Sequence, residues 1–178
     1  MTGNDPFWRL PEVPSFTLTS STVQHGHGLA VAHMSGIFDV PGGKDTSPQL
    51  SWSGAPAATK SYAVTMYDPD APTMSGFWHW AVAGIPSAIT SLAQGAGDDH
   101  GSGLPASAVQ LRNDAGSARF LGAAPPAGHG SHRYYITVHA LDTEDIEIDA
   151  SSSPALLGFK MSFHILARAT LIATAEIS

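Results

Sequence analysis

The stretch Asp68-Pro69-Asp70-Ala71-Pro72-Thr73-Met74-Ser75-Gly76-Phe77-Trp78-His79-Trp80 decides how this chain folds. A strand-like run, Ser61 to Tyr67, leads into it, and an aromatic and apolar run, Phe77 to Ile85, leads out. Between them sit two carboxylates, two prolines and a Ser-Gly pair, all ordinary hairpin-loop residues. Proline fixes its own φ and biases the residue before it towards extended backbone. Asp68 and Ala71 each precede a proline, so the loop is stiff and the carboxylates of Asp68 and Asp70 are held in place. Strict alternation puts Phe77, His79, Ala81 and Ala83 on one face of the outgoing strand, and Trp78, Trp80 and Val82 on the other.

Upstream, residues 1–14 carry Pro6, Pro11 and Pro14 and read as an extended arm on the surface. Ser15 to Ser20 alternates apolar and hydroxyl side chains, as a half-buried strand does. His25-Gly26-His27-Gly28 reads as a solvated turn before a second strand over Leu29 to Met34, and Pro48 to Trp52 as a short third strand. Downstream, the segment from Gly84 to Gly130 holds nine of the 18 glycines, and its one periodic piece lies near Ala108 to Leu111. Long irregular segments inside a compact domain are usually functional. This one delivers Pro125, Pro126 and His132 to one place, with Arg112-Asn113-Asp114 pinning it by polar contacts to backbone.

Tyr134 to Leu141 is a further strand, followed by an acidic, solvated stretch from Asp142 to Asp149. Ser153-Pro154 signals a helix start. Phe159, Phe163, Leu166, Ala167, Thr170 and Leu171 recur at helical spacing, predicting a helix over roughly 160–172 that carries His164 and Arg168 one turn apart. Ala173 to Ile177 follows as a closing strand. About eight short strands bounded by Gly and Pro turns, with helix only at the end, make a mostly antiparallel β domain.

At 178 residues the chain is expected to form one domain, 1–178. It contains no cysteine, which excludes disulfides, a thiol nucleophile and Cys-ligated zinc. A formal charge of −7 with only eight Lys and Arg argues against nucleic acid and against docking on anionic lipid by charge. The N-terminus has no basic segment followed by an apolar run, and no stretch approaches the roughly 18 apolar residues of a membrane span. The expectation is a cytoplasmic protein with no membrane insertion.

The DPDAP loop, the following Trp78-His79-Trp80 and the later Pro125-Pro126-Ala127-Gly128-His129-Gly130-Ser131-His132-Arg133-Tyr134 together resemble the phosphatidylethanolamine-binding protein family, in its bacterial Raf-kinase-inhibitor-like branch. Asp45 to Gly54, Thr59-Lys60-Ser61, Val109 to Asp114 with Gly116, and Leu156 to Ala169 extend the resemblance over nearly the whole chain. It implies an antiparallel Greek-key sheet packed with a smaller β-sheet and C-terminal helical structure. It also implies a ligand pocket from Asp68, Asp70, Pro72, His79, Gly122, Pro126, His132 and Tyr134. Many relatives carry Gly or Cys before the paired prolines, where this chain has Ala124. No catalytic residue, cofactor or metal follows from the resemblance. The implied ligand is a phosphate-containing small molecule or phospholipid head group, the implied partner a kinase or protease, and the expected oligomer a homodimer.

The residues themselves leave three functions open for Asp68, Asp70, His79 and His132. A carboxylate beside an imidazole favours its charged form, and a charged imidazole with backbone N–H groups in Gly-rich turns holds an anion. Trp78, Trp80, Tyr134 or Tyr135 would then be placed to meet an ethanolamine ammonium. The same four side chains suit a metal-dependent or Asp–His acid–base hydrolase of small phosphate or acyl esters. HExxH and GxSxG patterns are missing, however. The third function is a pocket that acts as a ligand-gated switch on a protein partner.

Overall fold

The computed structural model describes residues 4–178, so positions 1–3 of the expected arm lie outside the described residues. The hairpin around the DPDAP loop forms the middle of the molecule. Its strands are β3 (Ser61–Asp68) and β4 (Phe77–Pro86). Together with β6 (Val109–Gln110), β7 (His132–Leu141) and β8 (Ile165–Ala175) they make a five-stranded sheet in the order β6-β4-β3-β7-β8, with all strand pairs antiparallel. A smaller sheet joins β1 (Thr17–Thr19), β2 (Leu50–Ser53) and β5 (Ser91–Leu92) in the order β1-β2-β5.

The main core lies on one face of the large sheet. Val64, Met66, Trp80, Val82, Tyr134, Ile136 and Val138 pack there with Leu50, Trp52 and Leu92 of the small sheet. On the opposite face a second cluster gathers Ala63, Ala81, Ala83, Leu111, Leu141, Leu157 and Met161. The last two belong to the helix α1 (Pro154–Met161). Ser153 caps α1, its hydroxyl accepting from the Leu156 N–H at 3.1 Å, and Pro154 takes the first turn, where its missing N–H costs nothing. The N-terminal arm crosses this outer face. The Asn4 side chain donates to Pro69 O, the Arg168 N–H donates to Pro14 O, and the Phe7 ring meets Tyr135 edge-on at 6.0 Å.

Two expectations need correction. The helix predicted over 160–172 ends at Met161, and from Ile165 the chain is the edge strand β8, so His164 stands in the turn before it and Arg168 on the strand. The alternation is real, with Ala167, Ala169, Leu171, Ala173 and Ala175 buried, but small alanines carry most of it. Alanine gives little hydrophobic contrast and favours helix intrinsically. Phe159 and Phe163, the first two members of that helical spacing, are both exposed and pack on each other at 5.3 Å. The strand expected over Leu29 to Met34 is instead a 3₁₀ turn, Val31–His33, flanked by isolated bridges.

Candidate functional site

β4 departs from strict alternation. Met66 pairs with Trp80 and Tyr67 with Trp78, so His79 is the extra residue of a β-bulge. The bulge splits the two tryptophans: Trp80 enters the main core, whereas Trp78 faces the outer side of the sheet. It also turns His79 inward beside Phe77. A second irregularity between Tyr62 and Val64 adds another extra residue to β4 near Gly84, whose φ of +72° suits a residue without Cβ.

The inward turn of His79 makes one wall of a cavity of about 120 Å³. Asp68, Pro72, His132, Tyr134, Pro126 and Phe38 make the rest, with Ala71, Thr73, Phe77, Ala124 and Pro125. Six of the eight residues singled out in the sequence therefore meet here. Phe38 was not legible, because it arrives from a loop thirty residues upstream of the motif. Ala124 is outside the positive-φ residues, so an alanine fits its backbone.

Asp68 is 2% exposed and fully engaged. Its Oδ1 accepts from the Asp70 and Ala71 N–H groups at 2.7 and 3.0 Å, and its Oδ2 from His132 Nδ1 at 2.8 Å. One carboxylate thus fixes both the loop and the imidazole. On the far side of that ring, His132 Nε2 lies 2.7 Å from His129 Nδ1. His129, exposed between Gly128 and Gly130 (φ +72° and +85°), is a member of the site that the sequence reading missed. The two imidazoles share one hydrogen bond, so one nitrogen carries the proton and the other offers its lone pair.

Asp70 and Gly122 stand outside the cavity. Asp70 turns to Arg133, whose Nε and Nη2 meet its two oxygens at 2.8 and 2.7 Å, while the Arg133 N–H adds a third bond at 2.9 Å. These bonds hold the Asp70 carboxyl below its usual range. Gly122 donates its N–H to Asp45 Oδ1 at 2.8 Å, and a Cβ there would collide with the Met34 backbone. The loop-pinning role read for Arg112-Asn113-Asp114 holds: Asn113 donates to Ser117 Oγ and Arg119 O, and Asp114 accepts from the Trp78 N–H at 2.9 Å.

The His79 ring donates from Nδ1 to Leu121 O at 2.9 Å. Burial pushes the His79 imidazole below its ordinary range and favours its neutral form, unlike the charged imidazole the sequence suggested. The Tyr134 hydroxyl is buried without a hydrogen-bond partner among the described residues, and burial raises its pKa, so it stays an O–H donor. Of the four aromatics considered for an ammonium, only Tyr134 lines the cavity. Among the described residues no group of three His, Cys, Asp or Glu is gathered to hold a metal, and no helix is long and apolar enough to cross a membrane.

Comparison with known proteins agrees with this architecture. Residues 19–176 match the family model described as phosphatidylethanolamine-binding protein. Escherichia coli YbcL is 48% identical over 167 residues, covering 94% of this chain and 87% of that protein. Its crystal structure superposes with a TM-score of 0.89, covering 92% of this chain and 99% of that one. Escherichia coli YbhB is 45% identical, covering 88% of this chain and 97% of that protein. A Chlamydia trachomatis homologue, 28% identical, superposes with a TM-score of 0.76 over 92% of this chain and 99% of that one.

Proposed function

We propose that this chain, which belongs to the phosphatidylethanolamine-binding protein family, binds a phosphate-type head group in the His79–His132–Tyr134 cavity without turning it over. The observation that carries the reading is the buried, unpartnered Tyr134 hydroxyl beside a buried imidazole. A polar group left unpaired in the interior is costly, and a ligand oxygen relieves that cost. At about 120 Å³ the cavity is smaller than the roughly 300–1,000 Å³ that drug-sized ligands occupy. It takes a head group and leaves any acyl chain at the mouth, where Phe38 is 50% exposed. The same apolar mouth suits the regulatory output, a kinase- or protease-class partner or a second copy of the chain.

A bound anion makes a protonated His79 favourable, reversing the effect of burial. Binding therefore takes up a proton, and affinity rises as pH falls through the range between the bound and free values. Ethanolamine O-sulfate, whose own charge is constant there, is the probe that isolates the protein's share. Titration of O-phosphoethanolamine and of the sulfate ester should be tighter at pH 6 than at pH 8. Tyr134→Phe should weaken both at least tenfold, the size of one lost hydrogen bond to a charged oxygen, while keeping or raising stability. Equal affinity in Tyr134→Phe, or binding that tightens towards pH 8, would overturn the assignment.

The hydrolase alternative draws on the Asp68–His132 pair, but the outer nitrogen of that pair meets His129, not a hydroxyl or thiol. Release of inorganic phosphate from O-phosphoethanolamine in the same samples would decide for it.

A further inference from the structure

The outer face of the large sheet carries a second cavity, of about 240 Å³, separated from the first by the sheet itself. Its walls are chiefly Phe7 of the arm, Tyr67, Trp78 and Tyr135 of the sheet, and the side chains of His139 and Arg168. Nothing in the head-group reading uses it.

Two polar atoms in those walls have no partner among the described residues: His139 Nδ1 and Arg168 Nε, both buried. His139 as a whole is 5% exposed, and its other nitrogen lies 3.0 Å from Thr65 Oγ1. When the threonine hydroxyl donates to Nε2, the neutral ring carries its proton on Nδ1. His139 and Arg168 are register partners on β7 and β8, so the two unpartnered N–H groups come from adjacent positions of the sheet. The Arg168 guanidinium is steadied by Pro11 O at 3.3 Å and by the Phe7 ring at 5.0 Å, and its charge stays on a largely apolar surface.

Helix α1 adds an independent observation. Gly158 lies in its interior and lines the cavity, although glycine weakens a helix. Neither conformation nor crowding calls for it: its φ is not positive, and a Cβ there would meet nothing within 4 Å. What glycine preserves at this position is open space over the cavity.

We infer that this outer cavity is a second ligand site, which takes a small carboxylate with an apolar or aromatic body. The carboxylate accepts from Arg168 Nε–H and His139 Nδ1–H, and the body lies among Phe7, Tyr67, Trp78 and Tyr135. Burial and the neighbouring Arg168 push the His139 imidazole down to about 3, so it meets the ligand as a neutral donor and the guanidinium supplies the charge.

Calorimetry with octanoate and phenylacetate, each beside its uncharged amide, tests the inference on the full chain. One-site saturable binding of an acid at least tenfold tighter than its amide is expected, with a change in tryptophan fluorescence that Trp78→Phe removes. Gly158→Leu, whose Cβ would meet nothing within 4 Å, should abolish the carboxylate signal while leaving the O-phosphoethanolamine response unchanged. Arg168→Gln should bring acid and amide to equal affinity. Tyr134→Phe, in the other cavity, should leave octanoate binding untouched. Absence of saturable binding by both acids, equal affinity for acid and amide in the unmodified chain, or full binding by Gly158→Leu would each overturn the inference. Failure here leaves the head-group reading standing, since the two cavities share no probe.

Discussion

Asp68 and Asp70 are two residues apart in a stiff loop and do different work. Asp68 is buried, and its acceptor positions are filled by two loop N–H groups and by His132, so it orients the imidazole from behind. Asp70 is part-exposed and latches the loop to β7 through the forked contact with Arg133. A carboxyl held low in the folded state contributes stability above its unfolded pKa and loses it as pH falls through the folded value. Asp70→Asn should therefore cost about 1 kcal/mol at pH 7, after discounting for solvent screening, and nothing near pH 2. Urea unfolding of both proteins at the two pH values measures this. An equal cost at both would show that packing, not charge, makes the latch.

At the scale of elements, what was legible depended on how much contrast each side chain gave. β3, β4 and β7 stood out because large apolar residues recur around stiff, proline-bearing loops, and six of the eight named site residues follow from that frame. The bulge at His79 was hidden because it lies in a pairing offset between two strands, which no single strand's alternation records. It nevertheless decides that Trp78 serves the outer cavity and Trp80 the core. β8 was misread because alanine is equally at home in either periodicity, and tertiary pairing with β7 overrides its helical preference. His129 was missed because its role comes only from its distance to His132. The helix start was readable from Ser153-Pro154, and its energetic weight can be checked. Ser153→Ala removes the acceptor for the Leu156 N–H and should cost about 1 kcal/mol, seen as a lower thermal midpoint with unchanged O-phosphoethanolamine affinity. An unchanged midpoint would mean that the packing of Leu157 and Met161 alone holds α1 in place.

Across the whole molecule, the two faces of the large sheet each bury a histidine, His79 inside and His139 outside, and burial holds both imidazoles below their ordinary range. For such a group the unfolded chain takes up a proton near pH 6.5 while the folded chain does not. Stability is therefore complete above about pH 6.5 and is lost as pH falls towards the folded values, about 3 for His139. The slope reaches about 1.4 kcal/mol per pH unit for each imidazole. Carboxylate losses such as that of the Asp70 latch begin lower, so the interval from pH 6.5 to 5 belongs to histidine. Guanidinium unfolding at half-unit steps should show stability falling through that interval in the unmodified chain. In His139→Gln, which keeps a polar side chain that does not titrate, the fall should be about half as steep. The head group binds the inner face with proton uptake at His79, so saturating O-phosphoethanolamine should flatten the share of the fall that His139→Gln leaves. A profile flat between pH 6.5 and 5 would mean that water reaches both rings, and the proton-linked binding proposed for the inner cavity would fall with it.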